Sequence, residues 1–257
     1  RVEGIQIING GQTCKTIQQT LSQSQQDYSG VYVLLRLYEL ADDDQDFVRD
    51  ITYATNSQNP VDLRDLHSND EIQKQLETGI SALGYTYKRQ REEGVGGSTG
   101  IASTIAAEAV LAIWRNKPHQ AKFLRREHFG KLYQDIFKNL NAAQAVLAVL
   151  IFRIVENERK RPTLDNPPEF LPYAAHYLAM LIGQQLLQSQ TLKMAEIDHR
   201  NFKLLAEILH QRKEIYLKDA FGQIKVALAK LYKKHDISLQ QLSATFRRGD
   251  LLENLGY

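Results

Sequence analysis

A glycine- and amide-rich turn near the start of the chain holds the first residues that could do chemistry: Asn9, Gly10, Gly11, Gln12 and Thr13. The turn follows an apolar run predicted to be a strand and precedes a helical pattern. Backbone N–H groups at such a helix start can point at an anion, and Gln12 and Thr13 add side-chain donors. The turn lacks the Gly-Lys-Ser/Thr ending of a P-loop and the third glycine of a dinucleotide fingerprint. The alternative is a tight turn in which Thr13 caps a helix.

A second polar segment contains Asn56, Gln58 and Asn59 and is followed by Pro60, which ends the preceding helix. Asn and Gln side chains offer paired donors and acceptors that suit base edges. The alternative is a loop that these side chains lock to its own backbone. Just beyond it, Leu63 and Leu66 are predicted to face the core, which would direct Arg64 and Asp65 elsewhere.

A third segment interleaves aromatic and cationic side chains at Tyr87, Lys88 and Arg89. A tyrosine can stack on a base while lysine and arginine neutralise phosphate. The same pattern is equally typical of an edge strand whose charges prevent aggregation.

Positive charge is concentrated in the second part of the chain. Residues 1–98 contain 9 lysines and arginines against 15 acidic residues, a net charge of −6, whereas residues 99–257 contain 23 against 15, a net charge of +8. Any one basic cluster there could be an ordinary solvated face, but together they could face phosphate. The residues proposed for this weaker nucleic-acid surface are Lys122, Arg125, Arg126, Arg159, Lys160 and Arg161.

Composition excludes several other classes of protein. A hydrophobic fraction of 43% and a charged fraction of 24% are ordinary for a globular chain. No uncharged apolar run approaches the ~18–20 residues of a membrane span, so we predict no membrane contact. The single cysteine cannot form an internal disulfide or a cysteine zinc cage, which favours the cytoplasm. No metal site and no cofactor is predicted. The first residue is Arg1 rather than methionine, so we expect a longer protein.

The predicted fold class is α+β, with a small mixed sheet and flanking helices followed by an all-helical bundle. The glycine-rich stretch 92–100 divides the predicted domains, 1–98 and 99–257. The strongest strand pattern, the continuous run of β-branched and aromatic residues over 31–38, is predicted to be a central strand. A further strand is expected over 85–89. Apolar spacing of three and four residues predicts helices over 13–26, 44–56, 69–83, 101–115, 141–159, 171–190 and 202–235.

The order of these motifs resembles the abortive-infection phage-resistance (AIPR) family. The resemblance rests on Asn-Gly-Gly-Gln-Thr at 9–13, Ala-Thr-Asn-Ser-Gln-Asn-Pro-Val at 54–61, Asp65-Leu66, Ser68-Asn69-Asp70, Gln73 and the 85–89 segment. Residues 113–122 and 133–137 extend it into the second part of the chain. The family usually has an earlier segment with an Asn-Asn-Gly motif, which this sequence does not contain.

The resemblance implies a bacterial phage-defence protein, often encoded beside restriction–modification systems, with no catalytic residue to carry over. Its polar motif positions form the candidate ligand site: Asn9, Gly10, Gly11, Gln12, Thr13, Asn56, Gln58, Asn59, Asp65, Tyr87, Lys88 and Arg89. We expect this site to bind nucleic acid or a nucleotide. One alternative is a metal-dependent nuclease or nucleotide hydrolase that uses Asp65 and Lys88. The other is an assembly module that docks a restriction–modification or toxin protein.

Overall fold

A computed structural model describes residues 7, 10–23, 28, 30–36, 63–90, 97–233 and 237–257. The chain divides into two compact units, residues 1–62 and residues 63–257. Three of the predicted elements and motifs lie outside the described residues: most of the strand before the glycine turn, the helix over 44–56, and the amide segment of Asn56, Gln58 and Asn59. Asn9 also lies outside them.

The first unit contains helix α1, Gly11–Gln23. Gly10, at φ +80°, precedes it and accepts a hydrogen bond from the Cys14 backbone N–H at 2.9 Å. The strand predicted over 31–38 is wrong for its described part, because residues 31–36 form no strand. Their apolar side chains are exposed, Tyr32 at 88% and Leu34 at 86%. Apolar β-branched residues form a strand only where a partner strand and a core receive them, and the described residues supply neither.

The second unit begins with two helices and a small sheet. Helix α2 is Leu63–His67, helix α3 is Glu71–Ala82, and the strands are β1, Thr86–Lys88, and β2, Gly100–Ala102. The predicted helix over 69–83 is confirmed, and Gly84, at φ +85°, follows its end. The two strands are parallel, with Tyr87 opposite Ile101. Within the described residues the sheet is therefore small and its two strands are parallel, and β2 was not predicted.

Helices make up most of the remaining described chain. They are α4 (Ser103–Ile113), α5 (Pro118–Phe123), α6 (Tyr133–Phe137), α7 (Ala142–Lys160), α8 (Leu171–Ser189), α9 (Phe202–Tyr232), α10 (Leu239–Arg248) and α11 (Leu251–Leu255). Short 3₁₀ turns occupy Arg125–Glu127 and Met194–Glu196. The four long helices predicted from periodicity are confirmed to within a few residues, and so is the α+β class.

The core forms where α4, α7 and α8 pack on one another. Helix α4 is buried from Ala106 to Ile113, because it is apolar on nearly every side. Helix α3 joins the same core through Leu76 and Ile80, strand β1 through Tyr87 and strand β2 through Ile101. Among the described residues, no helix is both long and apolar enough to cross a membrane. The domain boundary at 98/99 stays a prediction.

Candidate functional site

The family-motif residues of the second unit meet where α2 ends. The hydroxyl of Ser68 donates to the backbone carbonyl of Asp65 at 2.7 Å, and the carbonyl of Ser68 accepts a hydrogen bond from Arg89. Arg89 also forms an ion pair with Glu77 at 3.0 Å. The residue that follows β1 is thereby joined to both α2 and α3.

A buried polar network continues from there into the core. The Tyr87 hydroxyl donates to the side-chain carbonyl of Gln73 at 2.8 Å, and the amide of Gln73 donates to the Tyr133 hydroxyl at 3.4 Å. His67 stacks on the Tyr133 ring with 3.8 Å between centroids, and its Nδ1 lies 2.7 Å from a carboxylate oxygen of Asp70. Burial raises the pKa of both tyrosines, so both hydroxyls stay protonated and act in hydrogen bonds.

This network gives several motif residues a structural role. Tyr87 is 4% exposed, so its ring is closed to a stacking base. The expectation that Leu66 packs is wrong, because Leu66 is 45% exposed whereas Arg64 is 7% exposed. Arg64 and the buried Ser68, four residues later, lie on the same inward side of the chain. Asp65 is exposed and Lys88 half-buried. The ligand role of the motif residues stays a prediction.

A second polar cluster surrounds the carboxylate of Glu108, which lies in the middle of α4. Oε1 of Glu108 lies 2.6 Å from Nε2 of His176 on α8 and accepts a hydrogen bond at 2.5 Å from Nη2 of Arg125. Burial raises the pKa of Glu108, but the hydrogen bonds and charges of His176 and Arg125 outweigh it, and the net pKa is below the ordinary value. Glu108 is therefore a carboxylate that fixes Arg125 to the helical core.

His128 adds a buried neutral group to this region. Its side chain is 2% exposed, and burial lowers its pKa to about 4. His128 is therefore uncharged near neutral pH. The positive charge of this region consequently comes from its lysine and arginine residues.

Helices α5, α7 and α10 each contribute a basic side chain to one surface near Glu108. Burial and the positive charges of Arg159 and Arg125 lower the pKa of Lys122, and the carboxylates of Glu156 and Glu108 only partly offset this effect. Phe123, 40% exposed, lies beside them: Nζ of Lys122 is 5.5 Å from its ring centroid and the guanidinium carbon of Arg247 is 5.0 Å from it. We call this surface, formed by Lys122, Phe123, Arg125, Arg126, Arg159 and Arg247, the basic face.

Some of these cations are paired and some are not. Arg159 makes two hydrogen bonds to Glu156, at 2.9 and 2.8 Å, and Arg125 binds Glu108. Within the described part of the chain, Lys122, Arg126 and Arg247 form no ion pair. None of these three side chains is therefore held by an ion pair with a described residue, although the charges of Glu156 and Glu108 act on Lys122.

The close approach of α10 to α5 completes the basic face. Gly249, at φ +86°, ends α10, and a Cβ there would lie 3.2 Å from the His119 ring. Helix α10 thereby reaches α5 and places Arg247 over Phe123. Lys160 ends α7, Arg161 follows it, and both are exposed. Phe123 and Arg247 were not predicted to share a site, because more than 120 residues separate them in the sequence.

Comparison with known protein families gives a match that spans most of the chain. A family model described as AIPR protein matches residues 1–248. The chain belongs to the AIPR family. No curated protein and no solved structure matches this AIPR protein. The family points to abortive-infection phage defence as the biological role. The match covers both the motif residues of the first unit and the helices that form the basic face.

Proposed function

We propose that this AIPR protein acts in phage defence by binding nucleic acid through the basic face. The observation that carries the proposal is the convergence of Lys122 and Arg247, two cations that form no ion pair with the described residues, on the exposed ring of Phe123. The exposed Arg126 follows in the neighbouring 3₁₀ turn and forms no ion pair with the described residues either. Cations that neutralise phosphate supply most of the affinity of a nucleic-acid interface. An exposed aromatic ring adds a surface on which a base can stack.

Glu108 gives this surface a fixed geometry. Its carboxylate is nearly fully buried and holds the guanidinium of Arg125, whose side chain is 62% exposed. A preorganised cation loses less conformational entropy on binding than a free one. Arg125 therefore positions the 3₁₀ turn that carries Arg126, while Lys122, Arg126 and Arg247 supply positive charge that no ion pair with a described residue occupies.

The test is fluorescence-anisotropy binding of labelled single-stranded DNA, duplex DNA and RNA across a salt series. The wild type should bind with a logarithm of affinity that falls linearly with the logarithm of salt concentration. The triple variant Lys122→Ala, Arg126→Ala, Arg247→Ala should bind more weakly and lose about one unit of salt slope per phosphate contact removed. Phe123→Ala should weaken single-stranded ligands more than duplex DNA, because only unpaired bases can stack on the ring.

A matched control variant removes the same number of positive charges from a surface outside the basic face. The triple variant Lys203→Ala, Lys218→Ala, Lys225→Ala removes three exposed cations from α9 and should bind nearly as the wild type does. Equal loss in both triple variants would show a general charge effect and contradict the proposal. Absence of binding by the wild type at low salt would also contradict it.

The restriction–modification or toxin partner and the cytoplasmic location stay predictions. The turn at Asn9–Thr13 and the amide segment at Asn56–Asn59 likewise stay predicted ligand sites. Gln12→Ala and Asn56→Ala, compared with the wild type in the same anisotropy series, test them separately from the basic face.

A further inference from the structure

A groove that shares no residue with the basic face lies where the ends of several helices meet. It is lined by Arg115, just after α4, by Lys117, by Lys138 and Asn139 after α6, and by Met194 of the second 3₁₀ turn. Its volume is about 960 Å³. That volume is at the upper end of the range typical of small-molecule sites, ~300–1,000 Å³. No residue of the groove belongs to the predicted sites.

The groove has a positive balance of charge. Arg115, Lys117 and Lys138 face a single lining carboxylate, that of Asp135. Nζ of Lys117 lies 2.9 Å from Asp135, and this hydrogen bond and charge hold the pKa of Asp135 below its ordinary value. Lys138 forms no ion pair within the described part of the chain and is exposed. Two positive charges are therefore left for an anion.

Arg115 is held in one orientation. Its Nη2 donates to the backbone carbonyls of Ile136 at 3.0 Å and Lys138 at 2.8 Å. Burial lowers the pKa of Arg115, but an arginine remains protonated. Nη1 donates to no group of the described residues. A fixed, planar guanidinium with a remaining donor suits a phosphate oxygen.

One wall of the groove is equally rigid. Asn141 and Gln144 form a capping box at the start of α7, and their side-chain amides also donate to the carbonyls of Ile197, at 2.7 Å, and Met194, at 3.0 Å. These amides are therefore occupied. The amides of Gln134 and Asn139 form no hydrogen bond with the described residues and are exposed. Each can donate and accept at the edge of a base.

We propose that this groove binds a nucleoside phosphate. Its phosphate would meet Arg115 and Lys138, and its base would lie against Met194 with its edge at Asn139 or Gln134. The net positive charge of the groove would attract the phosphate. The free amides would bind the edge of the base, and the thioether of Met194 would contact its face. This site does not depend on the basic face, so the protein can bind a small nucleotide whether or not it binds a nucleic acid.

Isothermal titration calorimetry on the full chain tests the groove with ATP, GTP, CTP and UTP, each up to millimolar concentration. At least one nucleotide should bind the wild type. Lys138→Ala and Asn139→Gly should each weaken it by about tenfold, since each removes one polar contact with the ligand. Asn139 has φ +55°, so glycine keeps the backbone there. Lys131→Ala, an exposed lysine of the preceding turn outside the groove, should bind as the wild type does.

Two chemical controls identify what the groove recognises. The nucleoside of the best-binding nucleotide should not bind, because it has no phosphate, and inorganic tripolyphosphate should bind at least about tenfold more weakly than that nucleotide. Equal affinity for tripolyphosphate would show a bare anion site and overturn the proposal. So would the absence of binding by all four nucleotides, or wild-type affinity in both groove variants. The basic-face triple variant should retain nucleotide binding, which separates a failure here from a failure of the nucleic-acid proposal.

Discussion

At the scale of single residues, burial decides which ion pairs matter. Glu108 and Glu156 each bind an arginine of the basic face, but the Glu108 side chain is 4% exposed and the Glu156 side chain is 23% exposed. The partner of Glu156, Arg159, is three residues away on the same helix, whereas Glu108 joins α4 to α8 and to the 3₁₀ turn. An exposed pair within one helix contributes little, and a buried carboxylate with two partners contributes much more.

Glu108→Ala should therefore destabilise the protein by about 3 kcal/mol, because it leaves the buried His176 without its partner and releases Arg125. Glu156→Ala should cost less than about 1 kcal/mol. Urea unfolding followed by circular dichroism measures both values. Equal destabilisation by the two variants would show that the Glu108 cluster is not a structural centre of the helical unit.

At the scale of elements, the contacts between helices explain why one helical glycine is required and another is not. A Cβ at Gly183 of α8 would lie 2.4 Å from Cγ2 of Ile113 on α4, so the absence of a side chain lets these two helices approach closely. A Cβ at Gly222 of α9 would meet nothing within 4 Å. The same residue type is required at one position and only unfavourable for helix formation at the other.

Gly183→Ala should destabilise the protein by about 1–3 kcal/mol through overpacking at the α4–α8 contact. Gly222→Ala should stabilise it by about 0.5–1 kcal/mol, since alanine is the better helix former. Thermal and urea unfolding of the two variants against the wild type test this pair. A stable Gly183→Ala variant would mean that α4 and α8 can separate without loss, contrary to their packing.

At the scale of the whole molecule, the second unit contains a complete core. Every buried core residue of the described chain lies between Leu76 and Leu251. Arg153 of α7 also donates hydrogen bonds to the carbonyls of Ser98 and Gly100, which fixes the start of β2 on the helical bundle. The small sheet and the bundle therefore share one core.

Residues 63–257 expressed alone should unfold in a single cooperative transition, because that unit buries its own apolar surface. Residues 103–257 are the matched control. They lack α3, β1 and β2, which supply Leu76, Ile80 and Ile101 to the core, and should unfold at lower urea concentration and less cooperatively. Equal unfolding midpoints for the two fragments would show that the sheet and α3 do not belong to the cooperative unit.

The sequence by itself determined the α+β class, the positions of the long helices and the family. Helix positions are readable because capping and apolar periodicity are local: Asn141 and Gln144 cap α7, and Leu76 and Ile80 mark the inner face of α3. The family is readable because motif order is a property of the chain alone.

Only the tertiary structure decided which residues meet. It paired the unpredicted strand β2 with β1, and it left the apolar run 31–36 out of any strand. It also placed Arg247 over Phe123 and gathered Arg115 and Lys138 around one groove. Strand pairing and side-chain convergence depend on contacts between distant positions, and no local propensity encodes the free energy of those contacts.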